Sequence, residues 1–244
     1  MNVHLFRKLV ARDLSVRFTG SALGVFWAVL QPLTLVALYW FVFTQIFRGG
    51  LGARTEQHYV EFLIAGLIPW LGINEGIMRS TTSMIDNAPL LRKLPLSGTL
   101  VVLVPNASAL IFQCIGLAVF LVVLAVQGTF PPMLWLLPVP IVLQFFLQSG
   151  VGLILAVMHG FFRDVTQIAG FVMSVVFYLS PILYPVAGRF ETFFQWNPLT
   201  PLLGLYRRAL LGGIPGIGAA AALPPWPSIV LLTVVALGMC LAGS

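Results

Sequence analysis

Hydrophobic positions run in long unbroken stretches, and short polar segments punctuate them. The stretches near Ala22–Phe47, Tyr59–Met78, Leu100–Val126, Met133–Met158, Val165–Pro185 and Trp226–Ala242 meet the length of about 20 apolar residues that crosses about 30 Å of hydrocarbon. The third and fourth come from one uncharged stretch, Leu94 to Phe162. QGTFPP, Gln127 to Pro132, supplies the turn between them, because Gly and paired Pro do not continue a helix. Strand alternation of the β-barrel kind is absent, and helices then satisfy the backbone in lipid. The pattern predicts an all-α polytopic membrane protein with six transmembrane helices.

Two segments depart from that pattern. LFRKLVARDLSVRF, at Leu5–Phe18, puts Leu5, Phe6, Leu9, Val10 and Leu14 on one half of a helical wheel, with Lys8 and Arg12 opposite. It reads as a helix lying in the membrane interface, and Asp13 and Arg17, four apart, can pair within it. The alternative is a solvated basic leader that only fixes topology. The segment from Val186 to Pro225 is apolar and aromatic but broken by Pro198 and Pro201. It is too interrupted to span and too hydrophobic to float in water, which predicts short helices dipping back into the outer leaflet against protein. The chain is thus one transmembrane domain, 1–244. Residues 1–20 form the interface helix, 22–185 spans one to five, 186–225 the outer re-entrant segment, and 226–244 span six.

Composition agrees. Of 244 residues, 59% are hydrophobic and 8% charged, against about a quarter charged in soluble domains. The mean hydropathy is +1.00. The net charge of +6 does not point to nucleic acid, because the cations lie in short loops between apolar runs, where topology signals belong. An N-terminus in the cytoplasm puts Arg7, Lys8, Arg12, Arg17, Arg79, Arg92, Lys93 and Arg163 inside. It puts Arg48, Arg54, Arg189, Arg207 and Arg208 outside, the last three in a long connection where the rule is weaker. The first 18 residues lack the apolar core of a cleavable signal. Cys114 and Cys240 sit in apolar runs as small fillers, with neither metal nor disulfide spacing.

Catalytic signatures are missing from the sequence. There is no G-x-x-x-x-G-K-[ST], and GGIPGIG at Gly212–Gly218 lacks the following Lys-Ser/Thr. Neither H-E-x-x-H nor G-x-S-x-G occurs, and His4, His58 and His159 are scattered, so no metal site is expected. Glu61 and Glu75 both fall in the second span, about 21 Å apart along a helix. That places them near opposite edges, as anchors or polar contacts rather than as a midplane proton relay. Gly20/Gly24 and Gly72/Gly76 permit close helix approach. Tyr39, Trp40, Phe41 and Phe43, with Phe171, Phe177, Tyr178 and Tyr184, supply core packing and interface belts, or an aromatic lining for a sugar-bearing substrate. IDNAPLLRKLPLSGTL, Ile85 to Leu100, encloses Arg92 and Lys93 between Pro89 and Pro95, with Leu90, Leu91, Leu94 and Leu96 around them. Pro89 can start a short helix and Pro95 can stop it.

Four blocks now point to a family. RDLSVRFTGSALGVFWAVLQPL (Arg12–Leu33) resembles the start of the type-2 ABC transporter permeases that export polysaccharides. DNAPLLRKLPL, FFRDVTQIAGFVMSVVFYLSPILYP (Phe161–Pro185) and NPLTPLLGLYRRALLGG (Asn197–Gly213) match further signatures of that family, in order. The resemblance covers nearly the whole chain. It implies six spans, a homodimer in the bacterial plasma membrane, and a separate ATP-binding subunit that holds ATP and Mg, so that no cofactor belongs to this chain. It implies that the interface helix (Arg12, Asp13, Arg17) and an ATPase-coupling element (Asn87, Ala88, Pro89, Leu90, Leu91, Arg92, Lys93, Leu94, Pro95) contact that subunit. Arg163 and Asp164 make the second cytoplasmic loop. The expected cargo is a lipid-linked O-antigen, capsule or teichoic-acid-like chain. It is expected to pass Tyr39, Trp40, Phe177, Tyr178 and Tyr184, with Arg207 and Arg208 at outer phosphates or lipid. Relatives end in a short charged tail, whereas no charge follows Arg208 here, so a truncated or atypical end is expected. A drug or lipo-oligosaccharide exporter shares the architecture. An ion-coupled secondary transporter would need midplane carboxylates or two related halves, and a membrane glycosyltransferase would need clustered acids.

Overall fold

The computed structural model describes residues 3–18, 59–93, 96–183, 194 and 197–212, with scattered helical positions between Phe26 and Val42. Among the described residues every regular element is a helix: α1 (Val3–Phe18), α2 (Tyr59–Asp86), α3 (Ala88–Lys93), α4 (Gly98–Val126), a 3₁₀ turn (Leu134–Leu136), α5 (Pro138–Phe161), α6 (Val165–Tyr178) and α7 (Leu199–Leu211). Three stretches are long and apolar enough to cross a membrane: α2, α4 and Leu134–Phe161. They coincide with the second, third and fourth expected spans, except that α2 runs past Met78 to Asp86. The first expected span lies mostly outside the described residues and the sixth wholly so.

The fifth expected span is shorter than its apolar run. Helix α6 stops at Tyr178, about 21 Å of helix. Pro181, which has no N–H and whose ring crowds the preceding turn, follows at once, and residues 179–182 continue as turns. At the same end of the bundle, Gly128 adopts a positive φ of 77°, the left-handed conformation that ends a helix without a Cβ clash. Thr129 then donates its N–H to the Leu124 carbonyl at 3.0 Å, and the chain turns toward α5 where the QGTFPP stretch predicted.

Helix α2 is the axis of the bundle. It packs against α4, α5, α6 and α7, and Ile64, Ile68, Trp70 and Ile73 join Leu117, Phe120, Leu147, Leu202, Tyr206 and Leu210 in one core. Gly72 faces Gln113, Gly76 faces Asn106 and Gln148, and Ser80 faces Gly152. Numbers on α2 and α5 therefore rise together while those on α4 fall. Helices α2 and α5 are parallel and α4 runs against both, so α3 and the α5–α6 turn share one end and Gly128 marks the other.

Candidate functional site

The α3 end gathers most of the chain's described charges. Asn87 breaks α2 from α3. Its N–H and its side-chain amide both donate to the Ser83 carbonyl, at 3.1 and 2.9 Å. Its own carbonyl receives Leu90 N–H and Leu91 N–H at 3.0 Å each. A six-residue helix results, with Pro89 in its first turn, where a missing N–H costs nothing. Arg92 and Lys93 are exposed, and Leu90 and Leu91 are half-buried. Leu94 and Pro95 lie outside the described residues. Between α1, α3 and α4 opens a groove of about 130 Å³ lined by Leu9, Arg12, Val16, Asn87, Leu90 and Pro105. The turn carrying Arg163 and Asp164 is exposed at this end, beside Phe161 and Phe162.

Helix α1 is tied to α2 by charge. Arg79 Nη2 meets Asp13 Oδ1 at 2.7 Å, and Arg79 Nη1 lies 3.6 Å from Glu75. Arg17 pairs with both carboxylate oxygens of Glu75, and its guanidinium stacks 3.8 Å over the Phe112 ring of α4. This corrects the expected Asp13–Arg17 pair within α1. The facing helix offers Glu75 and Arg79 one turn apart, and each α1 charge takes the opposite charge there. Arg12, Arg7 and Lys8 stay exposed. Glu75 is thus a polar contact between helices, and because α2 continues to Asp86 it lies well inside its helix rather than at the expected edge.

A ladder of buried amides runs up the interior. Gln113 and Gln144 pair reciprocally, N–H to oxygen, at 3.0 and 2.5 Å. The Tyr206 hydroxyl accepts from Gln113 at 2.9 Å and donates to Gln144 at 2.6 Å. Gln144 donates to Gln148 at 3.2 Å, and Gln148 to the Asn106 carbonyl at 3.1 Å. Ser80 closes the series on the Val102 carbonyl at 3.0 Å. All these side chains are 4% exposed or less, so the ladder joins helices rather than lining an open path. Gly72, Gly76 and Gly152 make room for it; a Cβ on Gly76 would stand 2.8 Å from Asn106 Oδ1. The Gly72/Gly76 face is therefore occupied within the chain. Inspection for charges and aromatics missed this ladder. Its signal was present: Gln144, Gln148 and Gly152 recur every fourth residue in an otherwise apolar run.

Helix α6 and α7 build the third feature. Trp70 on α2 packs on Phe177, ring centroids 5.5 Å apart, and Phe177 meets Tyr178 edge-on at 5.2 Å. Leu67, Asn74, Ser174 and these rings line an open cleft of about 370 Å³. Apolar ring faces beside an amide and a hydroxyl suit a sugar. Tyr39, Trp40 and Tyr184 lie outside the described residues. Arg207 is turned inward at 3% exposure, with its guanidinium 3.6 Å over the Phe62 ring. Arg208 is half-buried.

Comparison with known proteins places this geometry in context. Residues 4–211 match the family model for the ABC-2 type transporter. The chain is 30% identical over 225 residues to an O-antigen export system permease protein RfbA of Klebsiella pneumoniae, covering 86% of this chain and 82% of that one. It is 27% identical over 214 residues to an RfbA of Myxococcus xanthus, covering 83% and 78%. With the polysialic acid transport protein KpsM of Escherichia coli it shares 24% identity over 213 residues, covering 84% and 80%.

Proposed function

This chain belongs to the ABC-2 type transporter family, and we propose that it is the permease subunit of an ATP-driven exporter of a lipid-linked polysaccharide across the bacterial plasma membrane. One observation carries the reading: over most of their lengths, the similar proteins are named for O-antigen export and for polysialic acid transport. In this reading a separate ATP-binding subunit holds ATP and Mg, since this sequence has no phosphate-binding loop.

The permease has six spans, works as two copies, and keeps its N-terminus in the cytoplasm. Support for the orientation comes from the α3 end, which collects α1, Arg79, Arg92, Lys93 and Arg163. Helix α3 (with Asn87, Leu94 and Pro95) is the coupling helix, offering Arg92 and Lys93 to acidic groups of the ATP-binding subunit. Arg12 and the Arg163–Asp164 turn flank it. Asp13 and Arg17 act one step back, binding α1 to α2, so that a push on either helix reaches both. Helix α7 is re-entrant. Its Tyr206 hydroxyl reaches Gln113, halfway along α4, which supports a helix dipping into the membrane from the Gly128 end. The glycan passes aromatic faces from Tyr39, Trp40, Phe177, Tyr178 and Tyr184, with Trp70 behind Phe177. Arg208 is the candidate for outer phosphates, because the Arg207 guanidinium is engaged inside the bundle.

Deleting the gene tests the function. Lipid-linked glycan should accumulate on the cytoplasmic side while surface glycan disappears; unchanged surface glycan contradicts the reading.

A further inference from the structure

A helix end leaves its last four carbonyls without intrahelical donors, and inside a lipid-embedded bundle no bulk water replaces them. At the end of α6 the Val175 and Phe177 carbonyls take the Leu179 and Ser180 N–H groups, at 2.9 and 3.3 Å. The turn that follows, with Ser180 and Ile182 fully buried, has carbonyls of its own to satisfy, and side chains from elsewhere in the chain supply their donors. Asn197 Nδ2 donates to the Leu179 carbonyl and to Ser180 Oγ, both at 3.1 Å. The Tyr59 hydroxyl donates to the Leu183 carbonyl. Arg207 Nη2 donates to the Ile182 carbonyl at 3.1 Å, and its Nε donates to the Phe62 carbonyl of α2 at 3.3 Å. One planar guanidinium thus bridges two elements, which an ammonium on a flexible stem does not reproduce. Gly66 leaves the space for it: a Cβ there would stand 2.6 Å from Arg207 Nη2.

We propose that Arg207, together with Asn197 and Tyr59, is a clamp on the turn that follows α6, and that it is a positioning residue of the transport path. By holding the turn that follows Tyr178, it fixes where Phe177 stands against Trp70. The inference rests on the reading of α6 as part of that path.

The test reads Trp70 emission from the full chain in detergent micelles, with Trp70 kept as the sole tryptophan, and reads glycan export in cells from the chain with all its own tryptophans. Arg207→Lys keeps the charge and loses the fork. Gly66→Ala keeps every clamp residue and displaces the guanidinium. We expect Arg207→Lys to cut export about tenfold, the worth of one charge-assisted hydrogen bond, and to shift Trp70 emission to longer wavelength. Gly66→Ala should move both readouts in the same direction, and it carries the test alone if Arg207→Lys does not insert. Export at the unsubstituted level, or an unshifted Trp70 emission, overturns the proposal. If the unsubstituted chain exports no glycan, the proposed function fails, while the emission shift still reports on the clamp.

Discussion

One face of α2 is held by buried neutral side chains and an adjoining face by partly exposed charges, and the two behave differently. From Gly72 to Ser80 the helix receives amides at less than van der Waals tolerance for any added carbon. Those contacts are shape-locked: in a close-packed interior a single methyl group is felt. Glu75 and Arg79 meet α1 through side chains 27% and 34% exposed. Such pairs are worth about 0–1 kcal/mol and reform after a small displacement. The first face therefore makes a rigid wall of α2, α4 and α5. The second makes a junction that can shift.

The two faces differ most sharply at a glycine. Gly72→Val drives a side chain into Gln113; overpacking costs about 1–3 kcal/mol, and the Gln113–Gln144–Tyr206 bonds are lost with it. A fall in the thermal unfolding midpoint of the purified chain checks this. Gly160→Ala, with nothing within 4 Å of the added carbon, should leave the midpoint unchanged.

A smaller effect is expected inside the ladder. Gln144→Leu strands Gln113 and Tyr206, and interhelical hydrogen bonds in membranes are worth about 0.6–2 kcal/mol. Adding Gln113→Leu should recover part of the loss, because leaving one partner unsatisfied is worse than removing both. A double-mutant cycle on the unfolding midpoint measures that recovery; strict additivity would show that the ladder does not act as a unit.

The smallest effect belongs to the charged junction. Glu75→Gln should cost no more than about 1 kcal/mol, and the difference should shrink in high salt, where exposed charges are screened. A salt-independent loss comparable to that of Gln144→Leu would erase the distinction between the two faces.

The same contrast separates what the sequence discloses from what it conceals. Apolar run length gave α4 and α5 to within about five residues, and the start of α2, because lipid thickness is an external ruler; it missed the polar continuation of α2 to Asp86. Pro89 and the leucines around Arg92 marked α3, because a short helix needs only local signals. Partner choice was not legible. Asp13 and Arg17 are well spaced to pair along α1, yet the facing helix takes both. Arg207 beside Arg208 reads as a surface cation, and only the unsatisfied carbonyls after Tyr178 explain why it turns inward. The hydropathy ranking also misleads: α4 is the more apolar helix, at 2.8 against 1.3 for α2, yet 33% of its span is buried against 78%. In lipid the most apolar helix has the least reason to hide, and the helix carrying glycines and polar contacts takes the centre.

Glycan export by a chain carrying Leu90→Ser, Leu91→Ser and Leu94→Ser tests most directly the proposal that α3 is the coupling helix. The account predicts that the variant inserts in the membrane at the normal level, unfolds at the same temperature, and fails to export lipid-linked glycan. Export at the level of the unsubstituted chain would contradict it.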